Sequence, residues 1–484
     1  MTKALLFRWV RGILRIPSQR QGFGGLFFSL CFGLCFGIAC CPLAARSEGR
    51  SEWVLAQIQQ RNAHLSPQLR QEKFGMMGAT LYDFFRATNH LFWTDYGNSP
   101  QLSSFGSPTT RIWIQGDAHC GNVSALLANE NRVIFELDDF DDALIADYQL
   151  DVWRMAISML LAVQENGGLP QREQEQLIDT FTLSYLRTLH GYIDNANELV
   201  TTFSIENTPG FLSDWMSREA EQTHYRVLRK NTVLASGKRA FNFDKPGMLP
   251  VSNAQLHALQ AAMTSYQATL TGRLAHIPGY FRIKSVALKA KGGMGSLGSL
   301  RFFVLIEGLS ASQDDDRILD LKSEGAPAGW QWMDPSVRDS LVGMIGNDHA
   351  LRVVLGYRAM GYRSDEHLGS LHALGEHFFV RERTPVRSSI EMSNIVNPQR
   401  ARLLAKQWGA ILATSHARAD QDSSPLLPYD FEKEVFAKVA SEKQRLAFVT
   451  RVRQIAFFYA RQVNDDYRAF KEWQAKVSKV AQTQ

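Results

Sequence analysis

Two polar clusters joined by a single hairpin constrain this chain more than any other feature: Gly116-Asp117-Ala118-His119-Cys120-Gly121-Asn122, and then Asp138-Asp139-Phe140-Asp141-Asp142. Ile112-Trp113-Ile114 reads as a short buried strand leading into the first cluster. Val123 to Leu127 and Val133 to Leu137 are β-rich runs around the turn Ala128-Asn129-Glu130-Asn131, the pattern of a hairpin that delivers the second cluster beside the first. Carboxylates packed this closely cannot all stay ionised without a cation or strong hydrogen bonds. A run of that density at a strand end implies a metal.

An Asp followed five positions later by an Asn, at the end of a strand, has the spacing of a phosphoryl-transfer loop. In that reading Asp117 is catalytic, orienting an attacking hydroxyl and accepting its proton, and the Asn122 side-chain oxygen binds Mg2+ or Mn2+. Hard cations of this kind take oxygen ligands, usually one or two carboxylates plus phosphate. Asp139 is the expected carboxylate ligand and Asp141 a second one. Either cluster alone is equally well an ordinary solvated turn; their connection at this spacing favours chemistry. His119 is expected to brace the loop, Cys120 to fill space, and Asp151 to open the next helix as a cap or dipole carboxylate while supporting the loop from behind.

Further along, Gly293-Met294-Gly295-Ser296-Leu297-Gly298 lies between two β-rich runs. Glycines so spaced let backbone N–H groups approach phosphates. A dinucleotide fold would need a helix next, whereas Leu300 to Ile306 reads as a strand. Gly293, Gly295, Ser296 and Gly298 are therefore the expected nucleotide-binding loop. Lys322, on the strand Ile318 to Lys322, is the expected contact to the α- and β-phosphates.

Apolar spacing predicts helices within 52–96 and over 149–164, 171–195, 253–274, 335–360, 398–419 and 429–478, with another strand at Phe378 to Arg383. Residues 200–250 are not assigned. Strand and helix blocks segregate, which indicates an α+β fold. The expected segments are a leader (1–45), a helical segment (46–110), a catalytic-loop part (111–275), a glycine-loop β-rich part (276–395) and a helical C-terminal part (396–484).

The stretch Gly116 to Arg154, the glycine loop and Lys322 resemble the bacterial DUF2252 family, a domain of unknown function. Arg352-Val353-Val354, Phe379-Val380-Arg381 and Leu412-Ala413-Thr414-Ser415-His416-Ala417-Arg418 extend the resemblance. It implies a two-lobed protein-kinase-like fold related to the aminoglycoside and choline phosphotransferases. In those relatives the glycine loop and Lys precede the catalytic loop; here they follow it. A circular permutation with added helices accounts for the exchange, since folds tolerate one when termini lie close together. Two departures stand out. Gln115 replaces a frequent His, and no acidic partner for Lys322 is evident on the helix that follows.

Before Arg46 the chain carries Lys3, Arg8, Arg11, Arg15 and Arg20, no acid, and then the apolar run Gly25 to Cys41. This is the layout of a signal peptide or signal anchor that exports the body, unless the start is mis-assigned and the protein is cytoplasmic. Export would place the protein in the periplasm or at the inner membrane, touching membrane only through this segment. Without those five positives, 48 Lys and Arg face 48 Asp and Glu, so bulk charge recruits no nucleic acid. Cys120 is the single cysteine outside the leader, which excludes an intramolecular disulfide and a cysteine metal site in the body.

The expectation is thus a metal-dependent phosphotransferase that binds ATP or another nucleotide and acts on a hydroxyl of a small molecule or protein. The alternatives are a catalytically silent nucleotide- or ligand-binding envelope protein and a metallophosphoesterase. The last would need several His and Asp ligands, and beyond His119 no histidine pairs with acids near a strand end. Export sharpens the choice, because ATP is scarce outside the cytoplasm.

Overall fold

Aromatic residues crowd the segment ahead of the first strand, and burying them on a helical layer is the only economical use of so much apolar area. The computed structural model describes residues 49–483 apart from 129–131, 291, 296, 311 and 364. The leader, and Ser296 of the glycine loop, lie outside the described residues. Helices α1 (Arg50–Arg61), α2 (Pro67–Met77), α3 (Leu81–Ala87) and α4 (Asn89–Tyr96) bury Phe74, Phe84, Phe85, Phe92 and Trp93. Phe74 and Phe84 meet Phe470 edge-on or tilted at 5.9 and 5.4 Å between ring centroids.

Next come β1 (Arg111–Ile114), the hairpin β2 (Val123–Ala128) and β3 (Arg132–Leu137), and β4 (Leu144–Asp147). Strand β4 pairs antiparallel with β1, and Val123 faces Leu137 across the hairpin. Two long helices, α5 (Gln149–Glu165) and α6 (Gln171–His190), follow. Helix α5 is buried on every side from Gln149 to Val163, which explains its mixture of Trp, Met, Leu and Ala. The unassigned region contains α7 (Phe211–Glu219), α8 (His224–Asn231), a small hairpin β5 (Thr232–Ala235) and β6 (Lys238–Phe241), and β7 (Met248–Pro250).

After α9 (Asn253–Thr269) the chain forms β8 (Ile283–Lys289), β9 (Arg301–Ile306) and β10 (Arg317–Ser323). The expected helix over 335–360 is two helices, α10 (Pro335–Ile345) and α11 (His349–Met360), broken at Gly346, whose φ of 59° no helix accommodates. Then come β11 (Gly369–Ala373), β12 (Glu376–Glu382), β13 (Arg387–Ser389), α12 (Pro398–Arg418), α13 (Phe431–Lys438) and α14 (Glu442–Thr483). The α+β expectation holds.

The main sheet is antiparallel, in the order β11-β12-β10-β9-β8-β7. Its two faces follow from strand alternation. Phe302, Val304 and Ile306 of β9 pack with Leu259 and Tyr266 of α9. Phe303 and Leu305, one residue out of phase, pack with Ile318 and with Leu228 of α8 on the opposite face. A larger core joins the helices to β1–β4. The Ala419 carbonyl, just past α12, accepts the Trp113 N–H of β1 at 3.3 Å, so the last turn of α12 runs into the first strand in space though not in sequence.

Candidate active site

The turn after β1 is held from both sides. Asp151, in the first turn of α5, accepts the Gln115 N–H at 2.6 Å and the Gly116 N–H at 3.0 Å. It does not cap its own helix through its side chain. Its Oδ2 also lies 3.3 Å from His416 Nε2, whose Nδ1 sits 2.9 Å from the Tyr185 hydroxyl. On the other side the Gly116 carbonyl accepts Trp93 Nε1 at 2.9 Å and Asn89 Nδ2 at 3.0 Å. Gly116 has φ of 76°, and a Cβ there would come within 2.1 Å of the Asp142 carbonyl oxygen. Only glycine fits this corner.

Asp117 then faces a cleft of about 660 Å3, in company with His119, Asn122, Asp139, Asp141, Gly293, Gly295 and Lys322. The fold thus gathers nearly all the residues singled out in sequence. Arg154 Nε donates to Asp117 Oδ1 at 2.7 Å, and its guanidinium lies over the rings of Phe85 and Phe92 at 4.2 and 5.3 Å. Burial pushes the Asp117 carboxyl up to about 7, against the pull of Arg154. A carboxylate poised near neutrality suits proton transfer.

Asn122 Nδ2 donates to the Asp117 carbonyl at 3.1 Å, leaving Oδ1 as the atom for a cation. Gln115 ties the two clusters together: its Nε2 donates to the carbonyls of Asp138 and Asp139 at 2.7 and 3.2 Å. His119 Nδ1 accepts the Gly121 N–H at 3.1 Å and lies 3.4 Å from the Tyr82 hydroxyl. Burial holds this imidazole well below its ordinary range, so it is neutral and braces the loop. Cys120 is fully buried against Ser158.

The four acids divide into two roles. Asp138 accepts Arg387 Nε at 2.6 Å and the Tyr357 hydroxyl at 3.3 Å. Asp142 accepts the Ala328 N–H at 2.6 Å and Asn89 Nδ2 at 3.2 Å. These two fasten the loop. Asp139 and Asp141 line the cleft. Asp139 adopts φ of 68°, a left-handed conformation that costs a side chain about 1–2 kcal/mol and that tends to cluster at functional sites. Burial and the neighbouring Asp141 raise its pKa. The fully buried Arg352 of α11 fixes the loop backbone, donating to the carbonyls of Asp141 and Ala143.

Lys322 of β10 forms an ion pair with Asp141 across the cleft and a second with Glu324 at 3.2 Å. The acidic partner missing from the following helix is therefore Glu324, two residues on in the same strand region, together with Asp141. These carboxylates outweigh the burial that would lower the Lys322 pKa and raise it instead. Burial, then the charge of Asp141, pushes Glu324 up to about 8.

Gly293 and Gly295 border the cleft, and a Cβ at either would meet nothing within 4 Å. Gly298 does not line it; φ of 90° and the close approach of Leu65, 2.4 Å from a built Cβ, give that glycine a packing role. From the N-terminal helices Arg86 and Ala87 reach the cleft, while the rest of that segment supports the helical core.

One cluster escaped the sequence. Asp365, His367 and Glu382 converge near the end of β12, so a histidine beyond His119 does pair with acids near a strand end. His367 Nδ1 is 2.9 Å from Asp365 and its Nε2 is 2.8 Å from the Tyr280 hydroxyl. Burial works to lower the imidazole pKa, but Asp365 and Glu382 together raise it. With both ring nitrogens engaged, the group is a partly buried ion-paired triad.

A family model described as "Uncharacterized protein conserved in bacteria (DUF2252)" matches residues 65–473. No curated protein and no solved structure matches the chain.

Proposed function

The chain belongs to the DUF2252 family of uncharacterized bacterial proteins, and we propose that its cleft is the site of a metal-dependent phosphotransferase built on a circularly permuted kinase-like fold. The observation that carries this reading is the convergence of Lys322, from the antiparallel sheet, with Asp141, from the hairpin that also bears Asp117, Asn122 and Asp139. Phosphoryl transfer asks a protein mainly for positioning and for neutralised charge. These residues offer both. The Ala419–Trp113 hydrogen bond supports the permutation, because it joins the helix that follows the sheet to the strand that opens the catalytic loop.

Asn122 Oδ1, Asp139 and Asp141 form an all-oxygen set suited to Mg2+. Two crowded carboxylates in a buried loop, one of them shifted toward its protonated form, fit a site that a divalent cation completes. The cation would neutralise phosphate charge when bound. Lys322 would bind phosphate oxygens, and Asp141 would then be free to hold the metal. Asp117, held by Arg154 and backed by Asp151 through the Gln115–Gly116 backbone, would orient the acceptor hydroxyl and take its proton as the new P–O bond forms.

Thermal unfolding of the protein with and without ATP and Mg2+, beside Asp139→Ala, tests this reading. A ligand at a hundred times its Kd adds about 2.7 kcal/mol. A stabilisation seen in the wild type and lost in Asp139→Ala is the expected result. No response to any nucleoside triphosphate, diphosphate or phosphate chain with Mg2+ or Mn2+ would sink it.

A further inference from the structure

From the cleft face of the sheet, and resting on the reading above, we infer that the phosphoryl donor is recognised by its phosphate chain alone and that an inorganic oligophosphate of three or more phosphates serves as donor. Residues opposite one another in antiparallel strands share a face, as do residues two apart. Lys322 faces Arg301 on β9 and Phe379 on β12, and Asp320 faces Phe303 and Arg381. One sheet face therefore presents Arg301, Asp320, Lys322 and Arg381 to the cleft, with Lys289 at the end of β8 and Arg383 just past β12.

A nucleobase is held best on an open aromatic ring. The apolar surfaces of this face are already covered. Phe303, Leu305, Ile318 and Ala287 lie beneath Leu228 of α8 and Phe241 of β6, and Phe379 is stacked on Tyr357 at 5.3 Å. The open remainder of the sheet face is charged, and Val227, Met294 and Pro385, which line the cleft from other segments, offer no aromatic ring. Lys289 and Arg383 both rest on the Phe303 ring, at 5.6 and 4.9 Å, and among the described residues neither makes a direct ion pair, although both feel the charge of Asp320. Helix α8 closes the same end of the cleft and adds Arg226 and Lys230, again without ion pairs among the described residues. Among the described residues nine Lys and Arg line the cleft against five Asp and Glu, an excess suited to a polyanion. Burial lowers Lys289 to about 8, with Arg301 adding to the effect, and an anionic ligand would relieve that cost.

The transfer balances without a nucleobase on the donor. The terminal P–O–P bond of the chain breaks, an O–P bond to the acceptor forms, the hydroxyl proton passes to Asp117, and an oligophosphate one unit shorter leaves with the bridging oxygen. Such a donor also answers the scarcity of ATP that export would impose.

Titration calorimetry on the full-length protein with Mg2+ tests the inference, using tripolyphosphate, ATP and adenosine as probes, on wild type and on Lys289→Gln/Arg383→Gln. Tripolyphosphate is expected to bind at least as tightly as ATP, and adenosine not at all. The double variant, with its ligand-free unfolding temperature showing that it folds, is expected to bind tripolyphosphate about tenfold more weakly or worse. Single-turnover release of orthophosphate from tripolyphosphate, with water standing in for the acceptor hydroxyl, then reports the chemical step. ATP binding with tripolyphosphate silent, or adenosine competing with ATP, would overturn the inference and leave the phosphotransferase reading standing. An unchanged affinity in the double variant would also overturn it. Silence of both ATP and tripolyphosphate would remove both.

Discussion

Arg154 lies between Asp117 and two aromatic rings: its Nε donates to the carboxylate at 2.7 Å while its guanidinium rests 4.2 Å from the centroid of Phe85. The ion pair fixes the direction of the carboxylate without fully suppressing its proton affinity, because burial works the other way.

The acid limb of kcat/KM should therefore fall off below an apparent pKa near 7, where Asp117 gains its proton. Asp117→Asn should lose about 10²–10⁴-fold in kcat. Rate measurements from pH 5 to 9 with the best donor check both; a flat profile would remove Asp117 as base.

Metal binding should release a proton. Asp139 is shifted toward its neutral form by burial and by Asp141, and a ligand must ionise to bind. Calorimetric titration of Mg2+ in two buffers of different ionisation enthalpy reads the proton directly. Asp141→Asn removes the neighbouring charge and should diminish the release.

Glu324 should make the fold less stable in alkali. Its folded pKa is about 8, above the unfolded value of 4.5, so its contribution is complete below 4.5 and is lost as pH rises through 8. Glu324→Gln should flatten the decline between pH 5 and 9, an effect on the order of a few kcal/mol. Urea unfolding at those pH values measures it.

Asp151→Ala should cost about 2–5 kcal/mol, because two buried N–H groups and His416 lose their acceptor. The same change should lower kcat through a misdirected Asp117. Denaturant midpoints and initial rates separate the two effects. Loss of stability with unaltered kcat in the folded fraction would count against a bracing role.

Gly116→Ala should be among the most damaging single changes, since the new Cβ would come within 2.1 Å of the Asp142 carbonyl at a φ of 76°. A fall in soluble yield or a midpoint lower by several degrees is the expected outcome. Gly295→Ala, whose Cβ meets nothing within 4 Å, should leave stability unchanged and serves as the control.

Local signals made much of this site legible. The hairpin β2–β3, the strand of Lys322 and the glycine loop are written in alternation and in glycine punctuation, both short-range. Asp117, Asn122, Asp139, Asp141 and Lys322 could be singled out because their spacing along strand ends is itself the signal. What stayed hidden depends on distant partners. Nothing near Asp138 or Asp142 announces that Arg387 and Ala328 will engage them, so the four acids could not be divided in advance. Strand β4 is four residues long and owes its conformation to pairing with β1. Glu324 was overlooked because its usefulness to Lys322 arises from a strand ending beside the acid loop. The triad around His367 is scattered over Asp365 to Glu382 and converges only in three dimensions.

The seam between Ala419 and Trp113 has a consequence for synthesis. The ribosome delivers the hairpin of Asp117 to Asp142 early, yet Lys322, Arg387 and His416, which neutralise or support it, emerge late. A nascent chain therefore exposes an acidic, uncompensated loop until most of the polypeptide has been made. Translation order thus keeps the site unassembled until the closing helices arrive, and a truncated product is left without an assembled cleft.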